Sequence, residues 1–400
     1  MLDSRAVRPN TGLRTLPRVE IAQVVRRLDW TMLAAVAALL GYGLWVLDGI
    51  TRDDVPGDPS YYVFRQSVYA GVGVAGLLVA IFIDPEWYRR RRTLLFGVMV
   101  GSLLIVLAAG VEVRGSQRWI DVGSFRFQPS EFGKLLVVLC LAAFLADRGK
   151  RVMELRTTVI AVGIAAVPCA LVFLQPDVGS ALVYLAALGG VLFVAGTRWL
   201  DLTWLLAAAA TIAVIVLWGG PAVGVDILKP YQVDRLTAFA NQSENPGGAG
   251  YNVNQSRIAV GAGGVTGRGP SGATQTNFEF LPEHATDFVF ASLAEQRGFV
   301  GASILLGLYL LVIWRALNTI AVARNAFAAI VAGGIAIALL FQIVVNVGMT
   351  VGMAPVTGIP LPFVSAGGSS LIMNLVAIGI LQAIHARGRV SSSPIRLRRG

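Results

Sequence analysis

Apolar residues in this chain come in long blocks separated by short polar connections. The blocks run 17 to 19 residues. At 1.5 Å per residue that is enough helix to cross a hydrocarbon core of about 30 Å. The pattern predicts spans over Trp30–Leu47, Gln66–Ile83, Leu94–Val111, Pro129–Ala146 and Thr157–Leu174, followed by Val178–Gly196, Leu202–Gly220, Phe288–Trp314, Ala326–Met353 and Gly367–Ile384. The expected architecture is an all-α polytopic membrane protein of about ten transmembrane helices, residues 30–386. Basic tails at 1–29 and 387–400 flank it. One long connection, residues 219–287, separates the seventh and eighth helices. Its aromatics (Tyr231, Phe239, Tyr251, Phe278, Phe280) and Gly-rich turns predict order rather than a low-complexity linker.

Composition agrees with this pattern: 55% of the 400 residues are hydrophobic and 14% charged, which excludes a soluble globular chain. The net charge of +10 is a matter of topology. Connections on the side holding both termini carry 22 Lys and Arg, against about ten on the other. By the positive-inside rule both termini are cytoplasmic, and the 219–287 loop is extracytoplasmic. The positive charge then meets anionic membrane lipids, and no nucleic-acid partner is expected. Cys140 and Cys169 lie inside apolar runs, which excludes a disulfide framework. The first apolar run is a full span without a signal-peptide cleavage pattern.

Chemistry is expected where charge enters the wrong solvent. The purely apolar part of the fourth span, Leu135–Ala146, is 12 residues, so reaching membrane length draws Ser130, Glu131 and Lys134 into the hydrocarbon. Glu131 and Lys134 are spaced i,i+3 and can pair, as a structural couple or as part of a site. Gln175-Pro176-Asp177 precedes the sixth span, where Asp177 can cap the helix or line a cavity. Arg65 opens the second span, where snorkelling is the plain alternative. Glu283, His284 and Asp287 cluster at the outer entry of the eighth span. The stretch PVTGIPLPFVSAGGSS, Pro355–Ser370, is non-helical backbone at membrane depth, which survives only inside protein or beside a wet cavity. Gln342 and Asn346, i,i+4 in the ninth span, read as helix glue.

No G-x-x-x-x-G-K-[ST] sequence is present, which argues against ATP-driven pumping. Carboxylates and cations gathered on the outer face suit a lipid-linked phosphorylated donor: cations stabilise a diphosphate leaving group, and a carboxylate takes the proton of an attacking hydroxyl. They suit a proton-coupled transporter as well, and these residues alone leave both readings open.

Five stretches, RWIDVGSFRFQPSEFGKL, LQPDVGSALV, DRLTAFANQSENPGGAGYNVNQSRIAVGAGGVTGRG, FLPEHATDFVFASLAEQRG and PVTGIPLPFVSAGGSSL, resemble in order and spacing the SEDS family of RodA and FtsW. LQPD and GAGYNVNQSRIAVGAGG are closer to RodA, the elongation member. The resemblance implies an inverting peptidoglycan glycosyltransferase that polymerises lipid II at the outer face of the cytoplasmic membrane during elongation and cell-shape maintenance. A division-type FtsW polymerase and a lipid II flippase are the alternatives.

On that resemblance Asp287 is the catalytic base. Lys134, Glu131, Arg65, Asp177, Glu283 and Gln175 form the substrate-binding set. A divalent cation, Mg²⁺, is implied by the family, although no spacing reveals a metal site. A class B penicillin-binding protein is the implied transpeptidase partner, within an assembly of elongation-complex membrane proteins. Three places depart from the family pattern. Ala285 stands where His is usual before TDF, and His284, one residue earlier, is assigned no catalytic role. Ala366 replaces the usual Tyr before GGSS, and Glu295-Gln296-Arg297 keeps one residue of an acidic pair.

Overall fold

The computed structural model describes residues 21–113, 116–123, 125–216, 232, 233, 235 and 248–391. The extreme tails and most of residues 217–247, including Tyr231 and Phe239, lie outside the described residues. A short α1 (Ile21–Arg26) leads into α2 (Trp30–Ile50), α3 (Tyr61–Phe82), α4 (Pro85–Arg90) and α5 (Arg92–Ala109). Three strands follow, β1 (Val111–Val113), β2 (Ser116–Val122) and β3 (Phe125–Phe127). Then come α6 (Pro129–Arg148), α7 (Leu155–Leu174), α8 (Val178–Ala195) and α9 (Trp199–Val214). Within the long loop lie α10 (Ala249–Ala262) and a single turn α11 (Thr274–Asn277), and past it α12 (Val289–Val322), α13 (Ala326–Thr350) and α14 (Gly368–Ser391).

Among the described residues nine helices are long and apolar enough to cross a membrane: α2, α3, α5, α6, α7, α8, α12, α13 and α14. The seventh expected span is the 16-residue α9, the far part of the expected range falling outside the described residues. The chain is an all-α multi-pass membrane protein with one addition. Residues 111–127 were expected to be connection and instead form an antiparallel sheet in the order β1-β2-β3. Ile120 pairs with Phe127 and Asp121 with Arg126, closed by a turn at Gly123 with φ +63°. The alternation in RWIDVGSFRF about a Gly turn is the physical reason.

Burial sorts the helices. α14 and α6 are enclosed almost entirely, α13 and α8 largely, whereas α3 and α5 present most of their apolar surface outward, as lipid-facing helices do. α14 packs along α3, and α13 lies against α8 and α12. Caps fix the helix starts: Asp29 accepts from the Met32 amide, Asp177 from Ser180 and Asn325 from Ala328. Gly133 lets α8 close on α6, because a Cβ there would collide with the Tyr184 hydroxyl. That hydroxyl donates to the Ser130 carbonyl at 3.1 Å. Gly298 (φ +65°) kinks α12 where the 265–267 backbone crosses it.

Candidate functional site

The site is built where the chain leaves helical structure, at the end of the bundle that holds the N-termini of α6, α8 and α12. Asp287 sits half-buried just ahead of α12. Its loop is a tight turn around Glu283, a non-glycine residue at φ +55° whose carbonyl accepts the amides of Thr286, Asp287 and Phe288, each at 3.1 Å. The Glu283 carboxylate accepts from the Thr286 hydroxyl at 2.9 Å. The carbonyls of residues 285, 286 and 287 are all taken. Ala285 accepts from the Ala366 amide (2.9 Å), Thr286 from Ser365 Oγ (2.6 Å) and Asp287 from Asn346 Nδ2 (2.9 Å). Asn346 also donates to the Ile359 carbonyl at 2.8 Å. The 355–367 segment is thereby stitched to the Asp287 loop, which satisfies backbone that membrane depth would otherwise leave unpaired.

Gly358, at φ +71°, brings that segment beside Asp287. A Cβ built on it would stand 3.3 Å from Asp287 Oδ2 and 3.1 Å from an Arg235 guanidinium nitrogen. Carboxylate and guanidinium therefore flank one glycine. Arg235 lines a small cavity shared with Arg118, Pro176, Asp177, Val178, Gln232, Val356 and Thr357.

Asp177 does both things the sequence left open. Oδ1 caps α8 through Ser180 N (3.1 Å) and lies 3.6 Å from Arg118, while Oδ2 accepts from Gln128 (3.1 Å) and Ser130 (3.2 Å). One turn into α6, Lys134 donates to Glu131 at 2.5 Å and approaches Gln342 at 3.4 Å, with both charges buried. Gln342 and Asn346, read as helix glue, thus meet the charged pair and the Asp287 backbone directly.

Arg65 donates to the hydroxyls of Tyr61 and Tyr69 on its own helix. The neighbouring Gln66 donates to the Ser365 carbonyl and docks α3 against the same segment. Gln175 stands apart: it is buried and donates to the Leu103 carbonyl at 2.8 Å, a tie between α5 and α7. His284 turns away from the cavity to meet both oxygens of Asp54 at 3.1 Å. Burial works against its imidazolium, but the hydrogen bond and charge of Asp54, with a Leu281 backbone hydrogen bond and the Glu279 charge, together raise the His284 pKa above 6.5. Glu295, fully buried, accepts from the amides of Gln275 and Thr276 and from the Thr276 hydroxyl.

Arg118 and Arg235 are the functional candidates missing from the sequence reading. Both lie inside stretches that carry the resemblance, but neither sits in an apolar run, where a charge stands out. Among the described residues no three His, Cys, Asp or Glu side chains group closely enough to hold a metal ion. This donor set does not make a protein cage for a divalent cation.

The sequence profile described as cell cycle protein, covering FtsW, RodA and SpoVE, matches residues 27–390. Peptidoglycan glycosyltransferase MrdB of Escherichia coli (strain K12) is 38% identical over 370 residues, 92% of this chain and 96% of that protein. Stage V sporulation protein E of Bacillus subtilis (strain 168) is 36% identical over 81% of this chain and 87% of its own. Among solved structures, a chain of a peptidoglycan synthase complex is similar with a TM-score of 0.77 and 31% identity, covering 90% of this chain and 98% of that one. Rod shape determining protein RodA of Thermus thermophilus gives 0.67 and 28%, covering 90% and 96%. With the profile spanning nearly the whole bundle and both site loops, this chain belongs to the FtsW/RodA/SpoVE family, the SEDS proteins.

Proposed function

We propose that this chain is a peptidoglycan glycosyltransferase that polymerises lipid II at the outer face of the cytoplasmic membrane, with both termini cytoplasmic. The observation that carries the reading is Asp287 held against Gly358 beside the Arg235 guanidinium, next to a cavity that Arg118 and Asp177 also line. In the reaction the Asp287 carboxylate takes the proton of the acceptor sugar hydroxyl as that oxygen attacks the donor's anomeric carbon. The bond to the diphosphate breaks with inversion. Arg235 and Arg118 lie where negative charge develops on the departing undecaprenyl diphosphate. Asp177 keeps Arg118 in place, and the Glu131–Lys134 pair holds the floor of the site without adding net charge.

A divalent cation, Mg²⁺, fits this reading as an ion carried by the substrate diphosphate, since Mg²⁺ commonly takes one or two carboxylates plus substrate phosphates. The likeness to a chain of a peptidoglycan synthase complex supports a class B penicillin-binding protein as partner, within an assembly of elongation-complex membrane proteins. The likeness to the rod shape determining protein RodA of Thermus thermophilus supports elongation over division.

Lipid II polymerisation by the purified chain with Mg²⁺ and its partner transpeptidase tests the reading. Wild type makes long glycan, and Asp287→Asn makes none at unchanged thermal stability. A wild type that makes no glycan with its partner, yet moves labelled lipid II across liposomes, replaces polymerisation with translocation.

A further inference from the structure

The opposite end of α6 carries a second charged hollow that the glycosyltransferase reading does not use. From Pro129 to Arg148 the helix covers about 30 Å, so this hollow opens at the other membrane boundary. It has a volume of about 450 Å³ and is lined by Arg92, Phe144, Asp147, Arg148 and Arg151. Asp147 is already shared by two arginines, Arg92 and Arg89, the latter at 2.6 Å. The Arg148 guanidinium lies over the Phe144 ring, 4.6 Å from its centroid. Among the described residues no carboxylate pairs with Arg148 or Arg151, and the lining has a net charge of +2. Arginines that merely snorkel fan out into water. Here an aromatic face holds Arg148 and a shared carboxylate holds Arg92 beside a space of ligand size, with the exposed Arg151 at its rim. Two helices run from the hollow toward the membrane interior with apolar side chains outward: Leu94 and Val98 on α5, Leu155 and Val159 on α7.

We propose that this hollow is a binding site for the phosphate headgroup of an anionic glycerophospholipid, with the acyl chains lying along α5 and α7. Guanidinium groups recognise a phosphate monoanion through paired N–H donors, and basic pockets between transmembrane helices suit such headgroups. A phospholipid is favoured over a soluble phosphate because the hollow opens at the boundary where those exposed apolar side chains begin.

Native mass spectrometry of the full-length chain in zwitterionic detergent tests this, with phosphatidylglycerol, phosphatidylcholine or inorganic phosphate added. Wild type retains phosphatidylglycerol over phosphatidylcholine. R148Q/R151Q weakens that retention by roughly twenty-fivefold, fivefold for each arginine removed near an anionic group. R90Q/R91Q, which removes two charges from the same boundary but outside the hollow, leaves it unchanged. Arg151→Gln alone, at an exposed position, gives about fivefold and covers the case of a double variant that does not fold. Equal retention of the two lipids by wild type overturns the proposal, as does an equal loss in R90Q/R91Q, which means diffuse surface charge. Displacement of the lipid by millimolar inorganic phosphate overturns it in favour of a soluble anion.

Discussion

Asn346 Nδ2 donates to the backbone carbonyl of Asp287 at 2.9 Å, and the same amide group donates to Ile359, so one buried side chain on α13 joins the two loops of the site. Removing it leaves two carbonyls without their donor at membrane depth. Asn346→Ala is expected to lower stability by about 2 kcal/mol. It should also reduce kcat for lipid II polymerisation by tenfold or more while changing KM little, because positioning a base acts on the chemical step. Steady-state kinetics with a thermal melt checks this, and a fall confined to the melting temperature would reduce Asn346 to a packing residue.

Glu131 and Lys134 make a second, sharper case, because both charges are buried and 2.5 Å apart. Lys134→Met strands a carboxylate in a low-dielectric interior, at an expected loss of about 3–5 kcal/mol. Glu131→Gln with Lys134→Met removes both charges and should recover most of that stability. If the double variant melts as low as the single one, the pair is not the source of the effect. Glycan synthesis by the recovered double variant then separates a structural pair from one that handles substrate.

The His284–Asp54 contact predicts a pH dependence with a definite sign. The folded-state pKa of His284 is raised above 6.5, so its stabilising contribution is fully present below about 6.5 and is lost as pH rises through the higher folded value. The wild-type melting temperature is expected to be higher at pH 6 than at pH 8.5. In Asp54→Asn the strongest groups favouring the imidazolium are lost while burial still opposes it, with only the Leu281 backbone and the Glu279 charge left in support, so the advantage at low pH shrinks. Parallel slopes for the two proteins would dismiss the pair as the cause.

Much of this was legible before any coordinates. Block length predicted the spans because a membrane helix has to be uniformly apolar, and Glu131 and Lys134 stood out because they broke that rule. The sheet at 111–127 was hidden by its brevity: two of its strands are three residues long, and its hairpin alternation sits between two far stronger apolar blocks. Arg118 and Arg235 were hidden for a different reason. An arginine in a polar loop is ordinary, and only folding brings residue 118 beside 177 and residue 235 to the glycine that faces 287. Gln175 shows the converse, since its place in a family motif suggested substrate while its amide ties α5 to α7.

Gly358 separates geometry from backbone strain. Its φ of +71° penalises any side chain, by roughly 1–2 kcal/mol for alanine, and its missing Cβ leaves the space between Asp287 and Arg235. Gly57 shares the first property, with φ +86°, but has no atom within 4 Å of the place a Cβ would occupy. Both alanine variants should therefore lose stability, Gly358→Ala somewhat more because its Cβ crowds Asp287 and Arg235, while only Gly358→Ala loses polymerisation, by a hundredfold or so if displacing the carboxylate by tenths of an ångström to an ångström disrupts attack geometry. Side-by-side melts and glycan assays of the two variants decide this. Equal activities would mean that the base tolerates displacement and that the site is looser than the contacts around Gly358 imply, whereas a loss confined to Gly358→Ala ties catalysis to the carboxylate that the glycine accommodates.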